Sequence, residues 1–117
     1  MGLASQVLVG FVAVMHVYFL VLEMFLWATP FGQKTFKRTA AEQESTKILA
    51  ANQGLYNGFL AAGLAWSLYT GSIDVRLLFL GCVVIAGIYG AATAAKQILF
   101  VQALPAALAL AVTLAVR

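Results

Sequence analysis

Charge is scarce in this chain. Of its 117 residues only 9% are Asp, Glu, Lys or Arg, against about 25% in an ordinary soluble domain. Hydrophobic residues make up 63% and the mean hydropathy is +0.97. A chain this short has a large surface for its volume and could not hide that much apolar side chain from water. Lipid is the solvent that makes the composition reasonable. A single cysteine, Cys82, excludes an intramolecular disulfide and a thiolate metal cage. It sits inside an apolar run and reads as a small apolar filler. One histidine falls short of a metal ion's usual ligand set, so no metal site is expected. There is no P-loop, Gly-rich dinucleotide turn, zinc motif or nucleophile elbow, which removes the common cofactor classes. The net charge of +3 does not line one face of a folded domain. It gathers in short segments between apolar runs, so nucleic acid is not an expected partner and the bilayer is.

Four apolar runs occupy the chain. A bilayer core needs about 20 residues of helix. Run one is residues 3–29, where Pro30 and Gly32 are expected to stop it. It has no Lys or Arg before it, is about twice as long as a signal-peptide core, and carries His16 and Glu23, all of which argue against a cleaved leader. The polar segment Gln33 to Lys47 follows. Within it, Thr39-Ala40-Ala41-Glu42 fits a capping box, which starts the second helix near Ala40, in the aqueous interface, ahead of a span over residues 46–69. Gly71-Ser72-Ile73-Asp74 is a turn with Ser72 or Asp74 as N-cap. Runs three and four are residues 75–95 and 97–116. Only Lys96-Gln97 lies between them, but one helix from Val75 to Arg117 would be about 64 Å long, so length forces a break. The expected fold is an all-α membrane protein: a single four-transmembrane-helix bundle over residues 1–117.

Basic residues set the orientation. Lys34, Lys37, Arg38, Lys47 and Lys96 fall on one side, Arg76 and Arg117 on the other. Both termini are therefore expected on the non-cytoplasmic side.

Ionisable groups inside a span usually face the protein interior. His16 and Glu23 are seven residues apart, on one face of run one and about 10 Å apart along the axis. Counting inward from the cytoplasmic ends puts Asn52, Gln53, Tyr89 and Gln102 at the depth of Glu23, and Asn57 at that of His16, near the midplane. Asn52 and Tyr56 are four apart, as are Gln53 and Asn57, and neither pair avoids lipid unless another helix covers it. Pro105 has no N–H, which frees the carbonyl of Val101 beside Gln102. One acid and several amides at one height describe a polar pocket. They equally describe interhelical cross-links that only fix packing.

Small residues recur at four-residue spacing: Gly54, Gly58 and Ala62; Ala86, Gly90 and Ala94; Ala103, Ala107, Ala111 and Ala115. Such stripes let helices approach within the chain, or serve as a homodimer seam. Trp27, Trp66 and Tyr69 lie near span ends, as interface anchors do.

Leu22-Glu23-Met24-Phe25-Leu26-Trp27, the run "KILAANQGLYNGFLAAGLAW" from Lys47, "AGIYGAAT" from Ala86 and "VQALPAALAL" from Val101 together resemble a bacterial and fungal family of small integral membrane proteins catalogued as domain of unknown function 1304. The resemblance covers nearly the whole chain. It implies a four-span inner-membrane protein and no assigned activity. Three roles stay open. The first is small-molecule binding or proton-linked transport, with Glu23 exchanging the proton, Asn52, Gln53, Asn57, Tyr89 and Gln102 orienting the ligand, and His16 at the deeper end. The second is a structural or partner subunit. The third is an embedded enzyme on a lipid-like substrate, disfavoured because no nucleophile or metal set is present.

Overall fold

Helix α1, Leu3–Phe25, consists of residues that lose little on entering a helix in lipid, and it runs without a break for 23 residues. The computed structural model describes residues 2–116, and these form only helices and short connections. After α1 come α2 (Pro30–Phe36), α3 (Ala40–Thr70), α4 (Ile73–Thr93) and α5 (Leu104–Val116), the last entered through a π-helical turn at Leu99–Ala103.

The first connection differs from the expected one. Run one ends at Phe25, four residues early, and Pro30 and Gly32 open a helix instead of stopping one. Thr29 caps α2 by accepting the Gly32 N–H at 3.3 Å, and Pro30 takes a first-turn position where a missing N–H costs nothing. Gly32 is needed for the close turn: a Cβ there would run into the carbonyl oxygens of Leu26 and Trp27. Lys37, in the left-handed region at φ 54°, ends α2. Much of the polar segment is thus helical.

The capping box forms at the start of α3. Glu42 Oε1 accepts the Thr39 N–H at 2.9 Å, and Thr39 Oγ1 accepts the Glu42 N–H at 3.1 Å. The hydrogen bond from the Thr39 backbone holds the Glu42 carboxyl below its ordinary pKa. Ser72, not Asp74, caps α4, accepting the Val75 N–H at 3.2 Å, and Gly71 turns the chain at φ 73°. The break between the last two runs spans Ala94 to Lys96. Pro105 explains the π turn beyond it. Without a proline N–H, Val101 loses its usual helical donor, and the Leu104 N–H reaches back five residues to the Leu99 carbonyl.

Among the described residues, α1, α4 and the stretch Leu99–Val116 are long and apolar enough to cross a membrane. Between 22% and 28% of each apolar stretch is buried by the chain itself, so residues such as Val14 and Ile85 point outward, 67% and 70% exposed. α3 has the length, at 31 residues, but Glu42, Glu44, Lys47, Asn52, Gln53 and Asn57 dilute its hydropathy. Arg117, counted in the charge balance, lies outside the described residues.

The chain forms two compact units, one with the segment up to Val14 and everything from Leu60 onward, the other Met15–Phe59. In the first, Val9, Val12, Leu64, Leu80, Val83 and Ala109 make a closed core. Gly87 permits α4 to meet the π turn closely: a Cβ there would lie 2.6 Å from the Ala103 nitrogen. Arg76 is fully buried in this unit. Its Nη1 donates to Ser5 Oγ at 3.1 Å, and Ser5 and Thr113 share a 2.6 Å hydroxyl hydrogen bond, tying α1, α4 and α5. Cys82 is exposed, so it fills no core gap.

In the second unit, Trp27 organises the turn after α1. Its ring packs on Phe36 at 4.5 Å, its Nε1 donates to Thr46 Oγ1 at 3.0 Å, and its carbonyl accepts from the buried Gln43 amide at 2.8 Å. Gly54 and Gly58 of α3 face α1: a Cβ on Gly54 would sit 2.7 Å from Met24 Cγ and 3.1 Å from Glu23 Cβ.

Candidate functional site

Glu23 stands in the last turn of α1, and Gly54 brings the backbone of α3 against it. Asn57, 7% exposed, closes the contact: its Nδ2 donates to Glu23 Oε1 at 2.5 Å. Glu23 also borders a widely open cavity of about 420 Å³. Met24 and Phe25 line it from the end of α1, Trp27 and Thr29 from the turn, and Lys47 and Ile48 from α3. The Lys47 ammonium is paired with Glu44 at 2.5 Å. The cavity therefore combines one carboxyl, the Glu44-paired ammonium of Lys47, a hydroxyl, aromatic and apolar walls, and the carbonyl end of a helix, which carries partial negative charge.

The partner of Glu23 differs from the one that counting residues suggests. Asn57, expected level with His16, makes the bond, whereas Asn52 and Gln53 are exposed. Side chains on a helix lean toward its N-terminus. In antiparallel α1 and α3 those leanings are opposed, so an acid meets an amide further along the partner helix than the residue at its own height. Gly54 lies opposite Glu23, and Asn57 is three residues beyond it, about 4.5 Å along the axis. The early end of α1 at Phe25 adds to the offset.

The remaining predicted residues scatter. His16 is buried, with its ring edge against Phe19 at 5.1 Å, and it does not border the cavity. Tyr56 is 55% exposed and meets Phe59 edge-on. Tyr89, 70% exposed, and the half-buried Gln102 belong to the first unit. Among the described residues no three His, Cys, Asp or Glu side chains gather as a metal ion would need.

Sequence reasoning missed Thr29 and Trp27 as cavity residues, because their placement depends on the turn into α2. It also treated Arg76 as a loop charge. A signal existed: Ser5 and Arg76 near the starts of runs one and three and Thr113 near the end of run four all fall on the side expected to be non-cytoplasmic, where two hydroxyls could accept from one guanidinium.

Comparison with known proteins gives a consistent result. The family model described as Protein of unknown function (DUF1304) matches residues 10–114. The uncharacterized protein YpaA of Lactococcus lactis subsp. lactis is 31% identical over 115 residues, covering 94% of this chain and 96% of that protein. No solved structure matches the chain significantly.

Proposed function

The chain belongs to the DUF1304 family of proteins of unknown function, and from that premise we propose that it is a four-span protein of the bacterial cytoplasmic (inner) membrane that binds a small molecule at Glu23 and couples binding to proton exchange. In this reading α3 is the fourth span, its polar first turns stand in the interface, and both termini lie outside the cytoplasm, as the basic residues around α2 favour. The observation that carries the reading is that Glu23, held through one oxygen by the buried Asn57, borders a cavity of about 420 Å³. An acid oriented by an amide and adjoining such a space can trade its proton for a ligand. The carboxylate, the carbonyl end of α1 and the aromatic walls favour a cationic ligand with an apolar body.

Proteoliposomes test this with tetraphenylphosphonium as the probe and a pH-sensitive dye inside. Probe-dependent proton movement in the wild type, abolished in a folded Glu23→Gln variant, is the expected result. Equal movement with and without the carboxyl would overturn it. A structural or partner-subunit role is the second reading, favoured by the fact that the Glu23–Asn57 bond joins α1 to α3. It predicts that Glu23→Gln, which can still bond to Asn57, leaves every property of the protein unchanged.

A further inference from the structure

A second polar feature of α3 takes no part in the cavity. Asn52 and Gln53 are adjacent, both are exposed, and neither side-chain amide bonds to another described residue. Leu49, 73% exposed, and Tyr56, 55% exposed, continue the same face one turn to either side. The Trp27–Thr46 bond marks an interfacial tryptophan's level on α3. Asn52 and Gln53 lie six and seven residues deeper, about 9–10 Å. Under the four-span reading, on which this inference rests, both amides stand in hydrocarbon, where acyl chains offer neither donor nor acceptor and an unmet amide is costly.

We infer that this face of α3 is covered by the same face of a second copy, with Asn52 and Gln53 paired across a twofold axis along the membrane normal. Two facts single out a second copy. An amide carries both donor and acceptor groups, so it is its own complete partner. Two copies inserted in one orientation also hold these residues at identical depth, so the match needs no further adjustment. The Gly54–Gly58 stripe is not available for this role, because it packs against Leu20 and Met24 of the same chain.

The test uses the full chain in lipid vesicles, with Cys82→Ala removing the native thiol. Single cysteines are placed by Leu49→Cys and Tyr56→Cys on the proposed seam and by Ile85→Cys on an exposed face of α4. Oxidation should give disulfide-linked dimers at the first two positions and not at the third. Asn52→Leu with Gln53→Leu, at unchanged helix content, should weaken dimerisation about tenfold or more, the size expected of an interhelical amide contact. Dimers that form equally well without the amides, cross-linking confined to Ile85→Cys, or a monomer carrying tightly held lipid by native mass spectrometry would each overturn the inference. Labelling of Asn52→Cys by an impermeant maleimide separates the two readings. Reaction in sealed vesicles would remove the spanning of α3 itself, whereas protection from label without dimers would remove only the seam.

Discussion

Asn57 donates to Glu23 at 2.5 Å where Gly54 brings α3 close to α1, and it does so from about one helical turn beyond the residue that faces the acid. Gly54 lets the two backbones approach, and the bond is directed because both side chains lean toward each other. The carboxylate that borders the cavity is therefore held by a single amide.

Removing that amide should cost stability and binding together. Asn57→Leu is expected to lower stability by about 1–2 kcal/mol, as for interhelical hydrogen bonds in membranes, and to abolish probe binding by leaving the acid unoriented. Thermal unfolding in lipid nanodiscs, followed by circular dichroism, gives the first quantity and equilibrium dialysis the second. Wild-type binding by the variant would show that Asn57 does not position Glu23.

Gly54 and Gly10 should respond in opposite ways to an added side chain. A Cβ at Gly54 meets Met24 Cγ at 2.7 Å and the Leu20 carbonyl oxygen at 3.2 Å, whereas one at Gly10 meets nothing within 4 Å. Met24 can swing away, but the backbone oxygen cannot. Gly54→Val is expected to destabilise by about 1–3 kcal/mol and to loosen the Glu23–Asn57 contact. Gly10→Ala should be neutral or slightly stabilising, since alanine is the better helix former. Matched melting curves check the contrast.

The Ser5, Arg76 and Thr113 cluster should behave as a unit. Ser5→Ala withdraws an acceptor from a buried guanidinium and a partner from Thr113, with an expected cost of about 1–3 kcal/mol. In a double-mutant cycle with Thr113→Val, the two losses should fall short of additivity, because each substitution breaks the same hydroxyl pair. Strictly additive losses would mean that the hydroxyls act independently.

The start of α3 should be sensitive to acid. Glu42 is held below its ordinary pKa of 4.5 by the Thr39 N–H. A group whose folded pKa is depressed stabilises above its unfolded value and loses that stabilisation as pH falls through the folded one. Amide exchange in the first turn of α3 should therefore speed up as pH drops below about 4.5 relative to the intrinsic rate, while the buried turns stay protected. Glu42→Gln should keep the local geometry and lose the pH dependence, which hydrogen-exchange mass spectrometry can follow.

Much of the helical framework was legible from residue types alone. Long apolar runs, the Thr39–Glu42 spacing and the Gly71-Ser72 turn specify local structure through forces that act over a few residues: backbone hydrogen bonding, capping and the conformational freedom of glycine. Pro30 and Gly32 were misleading because the same residues that end one helix can open another, and the choice depends on whether Thr29 is free to cap and whether the carbonyls of Leu26 and Trp27 lie close behind. Glu23 was recognisable as the acid of interest for the same local reason: a carboxyl inside a span has few tolerable surroundings.

The sequence by itself determined that this chain is helical, is suited to lipid and carries one acid within its first apolar run, because periodicity and hydropathy are properties of neighbouring residues. Only the tertiary structure decided which amide meets that acid, that Asn52 and Gln53 face away from it, and that Arg76 is buried among hydroxyls. Those outcomes depend on the relative slide of packed helices, and a slide of one turn exchanges every partner while leaving each helix unchanged.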